Sequence, residues 1–447
     1  MVGNIEVTSI ELIKPSSPTP RASRDHKLSF LDQLSPSTLI PVLFYQNSSP
    51  CFDQAEISQH LKHSLSEILT KFYPLAGKIN GNLSVDCDDL GALFIEARVR
   101  AHLSQAIQTT EDPNQFLPLE PYEALGKNDL PLAIKISFFE CGGIAIGVCM
   151  SQKIADVLSC ATFMNAWAAT CRAKGDEIVQ PDFKLGCRLF PPANSPISSI
   201  DFVSGEKKET LLTKRFVFDK KKLAALKKFA SSVTSASSVK DPTLVEAVTA
   251  FILKHFILLT QAKENRKTNF LAFQAVNLRS RMNLPSDRLA FGNFPIATPA
   301  LMAVSDTDDN DKEYCDDLVG HLRNATRIIN NDYIKILQSG VPFLDILKAA
   351  GEQLGKEPMA YCFFTNLCSF PVYGVDYGFG KPISVRIKAP PIKNSVILMS
   401  TNSGDGIEAW ITMVEDEMAM LPDELLSLAT IDVSSFQAKL RSIFSMS

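Results

Sequence analysis

Residues 144–171 read IAIGVCMSQKIADVLSCATFMNAWAATC, and the way this stretch divides decides the fold. Ile144 to Met150 is a short apolar run between turn signals, which reads as a buried strand. Before it, Glu140-Cys141-Gly142-Gly143 offers glycines for the positive φ of a tight turn, so Leu132 to Phe139 is its hairpin partner. After Asp156, the residues Leu158, Phe163, Trp167 and Ala168 are among the apolar groups of a helix. The polar turn Ser151-Gln152-Lys153-Ile154-Ala155-Asp156 therefore lies where a strand hands over to a helix. Such a place favours chemistry, yet this turn holds no obvious proton acceptor.

The flanking sequence continues the same mixture. Glu6 to Ile13 alternates as a strand and stops at the proline-rich Pro15 to Pro20. Leu39 to Tyr45 reads as a buried strand with Pro41 near its start. Ala55 to Phe72 has Ile57, Leu61, Leu65, Ile68, Leu69 and Phe72 at helical intervals. Arg188 to Glu209 shifts to Pro, Ser, Asn and Gly, which suits a crossover between domains. The expected organisation is an N-terminal domain of residues 1–190, a linker of 191–210 and a C-terminal domain of 211–447.

The second half opens with a strand from Leu211 to Phe218 and a basic helix that presents Lys220, Lys221, Lys222, Lys227 and Lys228 to solvent. A helix from Thr243 to Leu259, a strand from Phe270 to Val276, a long helix from Asp311 to Leu337 and another helix near Phe343 to Leu354 follow. Strands are expected at Tyr361–Leu367, Ile383–Ile387, Val396–Ser400 and Ile407–Val414, then a last helix from Pro422 to Leu428. No repeat of fixed period is present, so two mixed α/β domains are the fold class expected.

At 447 residues and 49.1 kDa the chain exceeds the size at which single cores stop growing, about 250–300 residues. A formal net charge of -4 gives no pull toward nucleic acid or an anionic membrane, and neither partner is expected. No signal-peptide core and no 18-residue apolar run are read. The cysteines, among them Cys149, Cys160, Cys171, Cys187 and Cys362, are scattered through apolar segments, as in a reduced cytoplasmic protein.

Motifs for nicotinamide, nucleoside-triphosphate, zinc-protease and serine-hydrolase chemistry do not occur. His60 and His63 lack a third metal ligand nearby, and His255 lies in an apolar helix as a structural histidine. The loop Tyr373 to Pro382 brackets an aromatic residue with Gly378 and Gly380, beside Asp376, and reads as a rigid structural loop that an arginine could pin through that aspartate. Asn277-Leu278-Arg279-Ser280-Arg281, after a strand, supplies possible partners.

Gln152-Lys153-Ile154-Ala155-Asp156 and Asp376-Tyr377-Gly378-Phe379-Gly380 gain meaning beside Leu31-Asp32-Gln33, Asn277-Leu278-Arg279, Phe291-Gly292-Asn293 and Gly406-Ile407-Glu408-Ala409-Trp410. On these stretches, in this order, the chain resembles the plant BAHD acyl-CoA-dependent acyltransferases, particularly members that acylate alkaloids, over essentially its whole length. The family carries His-x-x-x-Asp at the first of them and Asp-Phe-Gly-Trp-Gly at the second. The resemblance implies two similar mixed-sheet α/β domains of the chloramphenicol acetyltransferase-like (CoA-dependent acyltransferase) type with an inter-domain channel. It implies transfer of an acyl group, expected to be acetyl, from acyl-CoA to a hydroxyl or amine of an alkaloid-like plant metabolite. A monomer with no bound cofactor and no metal is expected.

In the family the motif histidine takes the acceptor's proton, without an acyl-enzyme, while the motif aspartate turns away and pairs with an arginine. Asp156 with Arg279 is the matching pair here, and Asp376, Gly378 and Gly380 carry over as a structural element. Thr365 carries over as the hydroxyl aimed at the tetrahedral oxyanion. Phe379 keeps an aromatic plug without the indole N–H, and Leu367 replaces a tryptophan beside the channel, which would reshape the acceptor pocket.

The departure is Gln152, placed where the histidine would be. An amide is non-basic near neutrality, whereas imidazole titrates near ~6.5 and can take and return a proton. Losing a positioned base typically costs ~10² to 10⁴ in rate. Gln152 keeps the ability to hydrogen-bond an acceptor and so to hold it. The open readings are acyl transfer aided by Thr365 and a base on the substrate, a family enzyme whose Gln152 was introduced to trap a complex, a homologue diverted to rearrangement, cyclisation, elimination or acyl transfer from a donor other than CoA, and a non-catalytic binding protein.

Overall fold

The structure is a computed structural model that describes residues 4–47, 53–108, 113–122, 129–178, 180–193, 209–232, 239–264, 268–282, 290–303, 317–340, 342–346, 348 and 359–421. Among these residues two six-stranded mixed sheets and a small three-stranded sheet carry the architecture. In spatial order the first sheet is β1 (Ile5–Ile13), β6 (Ala92–Val99), β7 (Leu132–Phe139), β8 (Ile144–Ser151), β3 (Leu39–Gln46) and β13 (Ser384–Ile387). The small sheet is β2 (Asp25–Lys27), β5 (Ser84–Asp86) and β4 (Lys78–Asn80). The second large sheet is β11 (Pro295–Met302), β10 (Asn269–Asn277), β12 (Met359–Asn366), β14 (Ser395–Ser400), β15 (Ile407–Val414) and β9 (Leu211–Phe218).

Strands β3, β7 and β8 are buried along their full length. A sheet covered on both faces needs continuous apolar strands, not alternating ones, and this is why these three runs read as they do. One face of the first sheet, with Val42, Phe44, Ile134, Ile136, Ile146 and Val148, packs on helices Gln54–Lys71 and Val157–Cys171. The other face, with Leu43, Tyr45, Ala145 and Cys149, is covered by helix Leu103–Gln108 and the turn Pro113–Phe116. Pro41 lies opposite Cys149 and just outside the stretch Val42 to Tyr45 that β13 pairs. A proline is tolerated where the ladder has ended.

In the second sheet the residues Phe270, Ala272, Cys362, Phe364, Val396, Leu398, Ala409 and Ile411 share one face. They pack on helices Lys220–Ser232, Leu244–Glu264 and Leu318–Arg327. Helix Leu244–Glu264 is long and apolar enough to cross a membrane by length and composition, where the sequence leads to the expectation of no such run. Here its Val248, Ile252, Phe256 and Leu259 are buried in this core.

Two features depart from the linear reading. The helix expected over Asp311–Leu337 is, among the described residues, two helices, Leu318–Arg327 and Asn331–Gln338. Asn330 breaks it, because its side chain accepts from the Asp332 and Tyr333 amides and restarts the chain as an N-cap. Strand β13 comes from the second half of the chain, yet it pairs antiparallel with β3 and forms the edge of the first sheet. The expected helix at Pro422–Leu428, and most of the one at Phe343–Leu354, lie outside the described residues.

Candidate active site

Strand β8 ends at the fully buried Ser151, and helix Val157–Cys171 begins after Asp156, its N-cap. The Asp156 carboxylate accepts the Ser159 amide at 2.8 Å, which satisfies one of the orphan donors of the first helical turn. Its other contacts come from the second half of the chain. Arg279 Nη1 donates to Oδ2 at 2.6 Å, Arg279 Nη2 to Oδ1 at 3.3 Å and the Phe294 amide to Oδ2 at 3.1 Å. Every acceptor position of this carboxylate faces the structural network, so Asp156 is not free to act on a substrate.

Arg279 is as fully used as its partner. Its Nε donates to the Ala290 carbonyl at 3.0 Å, and its Nη2 donates to Ser159 Oγ at 2.9 Å and to the Gly292 carbonyl at 3.0 Å. The guanidinium also lies 4.3 Å from the Phe294 ring centroid. Both side chains are buried, and such a pair holds only when its remaining donors and acceptors are met. Removing one partner of a buried pair typically costs about 3–5 kcal/mol. Gly292 is the crossing point: φ is +139°, and its carbonyl also takes the Asp156 amide at 3.2 Å and the Ser159 hydroxyl at 2.9 Å. Glycine reaches that backbone region without the penalty a Cβ would bring.

Gln152 sits between the two halves. Its amide donates to the Thr38 carbonyl at 2.9 Å, and its own carbonyl accepts from Asn293 Nδ2 at 2.7 Å. Asn293 is fixed in turn by Asp32 Oδ1, which accepts its backbone amide at 2.8 Å and its side-chain amide at 2.9 Å. The second oxygen of Asp32 accepts the Ser29 amide and hydroxyl, closing the capping box of helix Phe30–Leu34. Leu31-Asp32-Gln33 and Phe291-Gly292-Asn293 thus meet at the motif turn. The Gln152 side chain is half-buried, and its Oε1 accepts the Thr38 hydroxyl at 2.5 Å.

Lys153 is the nearest cationic side chain in sequence. It is 2 % exposed, and burial pushes its ammonium down to about 8, with Asp32 pulling it back up. Its three protons are directed to the carbonyls of Gln33 and Ser35 and to Asn82 Oδ1. An ammonium with all three donors engaged is a brace, not a spare base.

Thr365 lies on β12, half-buried, beside Ile397 of β14. The ladders place Thr365, Ile397, Trp410 and Arg215 in one row on the second sheet's other face. On this face Ile397 and Met399 pack into the first core, whereas Phe273 and Phe363 stack 5.1 Å apart at 11° and stay half-buried. Next to them Tyr361 is exposed. Among the described residues no hydrogen bond joins Thr365 to the motif turn. Leu367, expected beside the channel, is buried in the first core with Val372 and Val375.

The Asp376 loop is fastened elsewhere. Asp376 Oδ1 accepts the Gly378 amide at 2.8 Å and the Gly380 amide at 3.0 Å, and the two glycines have φ of +101° and +106°. The arginine here is Arg172, which donates to the Asp376 backbone carbonyl and not to its carboxylate. Tyr377 is buried with its ring edge-on to Trp167 at 4.8 Å. Arg172 and Trp167 belong to the C-terminal end of helix Val157–Cys171, whereas Asp156 caps its N-terminus. Fifteen residues at 1.5 Å rise put the loop roughly 20 Å from the motif turn.

Comparison with known proteins places the chain among transferases. A family model described as the Transferase family matches residues 3–427. The chain is 48% identical over 443 residues to stemmadenine O-acetyltransferase of Catharanthus roseus, covering 97% of this chain and 100% of that protein. It is 49% identical over 444 residues to vinorine synthase of Rauvolfia serpentina, again covering 97% and 100%. Among solved structures, vinorine synthase superposes with a TM-score of 0.81 at 46% identity, over 95% of this chain and 98% of that one. The F. sporotrichioides TRI101 complex with coenzyme A and T-2 superposes with a TM-score of 0.69 at 15% identity, covering 91% and 97%, a likeness of fold alone.

Proposed function

Because the chain belongs to the BAHD acyltransferases of the Transferase family, we propose that it moves an acetyl group from acetyl-CoA to a hydroxyl of an alkaloid-type plant metabolite at the channel beside Gln152. The observation that carries this reading is the 48% identity with stemmadenine O-acetyltransferase over the whole length of that protein. Two further points support it. The half-buried Phe273 and Phe363 stack, with Tyr361 beside it, gives Thr365 a flat apolar neighbourhood that suits a polycyclic acceptor. Thr365 keeps a hydroxyl available to an oxyanion.

The proton must be handled without imidazole. In this reading both substrates are bound together and the acceptor hydroxyl attacks the thioester carbonyl. A tertiary amine on the acceptor takes the hydroxyl proton, the C–S bond breaks, and the departing sulfur receives that proton. Holding the reactants together supplies much of the rate that the missing base does not. The same reading places the enzyme in the cytoplasm as a monomer, in keeping with buried, unpaired thiols such as Cys149, Cys160 and Cys171.

The test is release of free coenzyme A thiol from acetyl-CoA, with and without alkaloid alcohols that carry a tertiary amine, together with mass detection of the ester. Acceptor-dependent thiol release matched by ester formation is expected. Conversion of an alkaloid with no thiol release and no gain of acetyl mass would overturn the proposal in favour of diverted chemistry.

A further inference from the structure

We propose that Thr38 is a positioning residue that fixes the Gln152 carboxamide with its N–H₂ outward, so that the motif position meets the acceptor with a hydrogen-bond donor where relatives carry a base. The inference deepens the preceding one and rests on the motif turn facing the reacting groups.

Thr38 Oγ1 and Gln152 Oε1 are 2.5 Å apart. That lies within the range of an O–H···O bond and below that of an N–H···O bond, about 2.7–3.2 Å. The carboxamide therefore turns its oxygen toward Thr38 and its nitrogen away. A second bond, from the Gln152 amide to the Thr38 carbonyl at 2.9 Å, makes the link between the two residues double. The β-branched Thr38 side chain has few χ1 states in which to lose that geometry. From the opposite side Asn293 Nδ2 holds the Gln152 carbonyl, and Asp32 holds Asn293.

With its oxygen engaged, the side chain has two N–H groups left, and no described residue accepts them. A donor pair needs a lone pair opposite. The acceptor's hydroxyl oxygen offers one, and hydrogen bonds donated to that oxygen favour its deprotonated form. Gln152 would thus hold the nucleophile while the acceptor's own amine removes the proton. The O–H and C–S bonds break, the ester C–O bond forms, and the proton passes from the ammonium to sulfur. The ligand class that follows is an amino alcohol, with the amine close enough to reach its own hydroxyl.

The test is a double-mutant cycle between Thr38→Val and Gln152→Leu, with Thr38→Ser as the variant that restores the hydroxyl. Thermal melts establish that each variant is folded. Acceptor affinity is measured by calorimetry without acyl-CoA, and turnover is measured by thiol release. Loss of one hydrogen bond of this kind should weaken acceptor binding roughly five- to tenfold, with the acetyl-CoA KM unchanged. Thr38→Ser should restore it, and adding Thr38→Val to Gln152→Leu should cost nothing further. Fully additive effects, or a Thr38→Val enzyme with parental acceptor affinity, would overturn the inference while leaving acyl transfer standing. Wild-type protein that neither binds nor acylates any amino alcohol would remove the parent proposal and this one with it.

Discussion

Gln152 is held by a backbone bond to Thr38, another from Asn293 and a side-chain bond from the Thr38 hydroxyl, in a turn that Asp156 and Arg279 keep rigid. In the proposed reading this turn keeps the framework of a general-base site without the base. Replacing Gln152 by histidine tests whether the proton was the missing part. Acyl transfer should rise by about 10²- to 10⁴-fold, the range a positioned general base supplies. The sign of the pH effect follows: imidazole must be neutral to accept a proton, so the gain appears as pH rises through about 6.5 and is lost below it. Steady-state rates from pH 5 to 9 would show the new limb. A rise of less than about tenfold would mean that something other than the base limits this enzyme.

Individual elements show why the sequence was readable in some places and opaque in others. Strand β15 was legible because its apolar run is bounded by the Thr401 to Gly406 loop, and its expected bounds, Ile407 to Val414, are those observed. The helix over Asp311–Leu337 was misread because apolar periodicity resumes across Asn330, and a cap inside a periodic run is a weak local signal. Pairing of β13 with β3 is non-local, so nothing in Ser384–Ile387 names its partner. At the site, Asp32, Asn293 and Gly292 lay within motifs that were noticed, whereas Thr38 was missed because a lone threonine after Ser35-Pro36-Ser37 looks like any loop residue.

His255 lies in helix Leu244–Glu264. Burial pushes His255 down to about 4, against the Phe251 carbonyl that its Nδ1 meets at 2.8 Å. The unfolded chain, with an ordinary histidine near ~6.5, binds more protons between those values, so stability falls as pH drops from 6.5 through 4. Urea midpoints of the wild type should decline more steeply over that interval than those of His255→Leu. Parallel curves would show that His255 is not the group responsible.

The whole molecule is tied together by a core that the two halves of the chain share. Leu367, Val372, Val375, Tyr377, Val385, Ile387, Ile397 and Met399 come from the second half, yet they lie in one cluster with Phe44, Leu65 and Trp167 of the first. Gln46 Nε2 adds bonds to the carbonyls of Val375 and Gly380 across the same seam. Chains of this size commonly unfold through intermediates, domain by domain. A shared core argues otherwise here, because neither sheet can leave this seam without exposing apolar surface of the other. The chain has two tryptophans, Trp167 inside this core and Trp410, on β15 of the second sheet, packed against it, so the two view the seam from the two halves of the chain. Urea unfolding of Trp167→Phe and Trp410→Phe, followed by fluorescence, should match the far-UV dichroism transition of the same variant. Met399, 1 % exposed at the seam, supplies the decisive perturbation. Truncation to alanine should cost roughly 2–5 kcal/mol and lower both midpoints together. A midpoint that moves for one tryptophan and stays for the other would show that the halves fold as separate units and that the seam is only a contact between them.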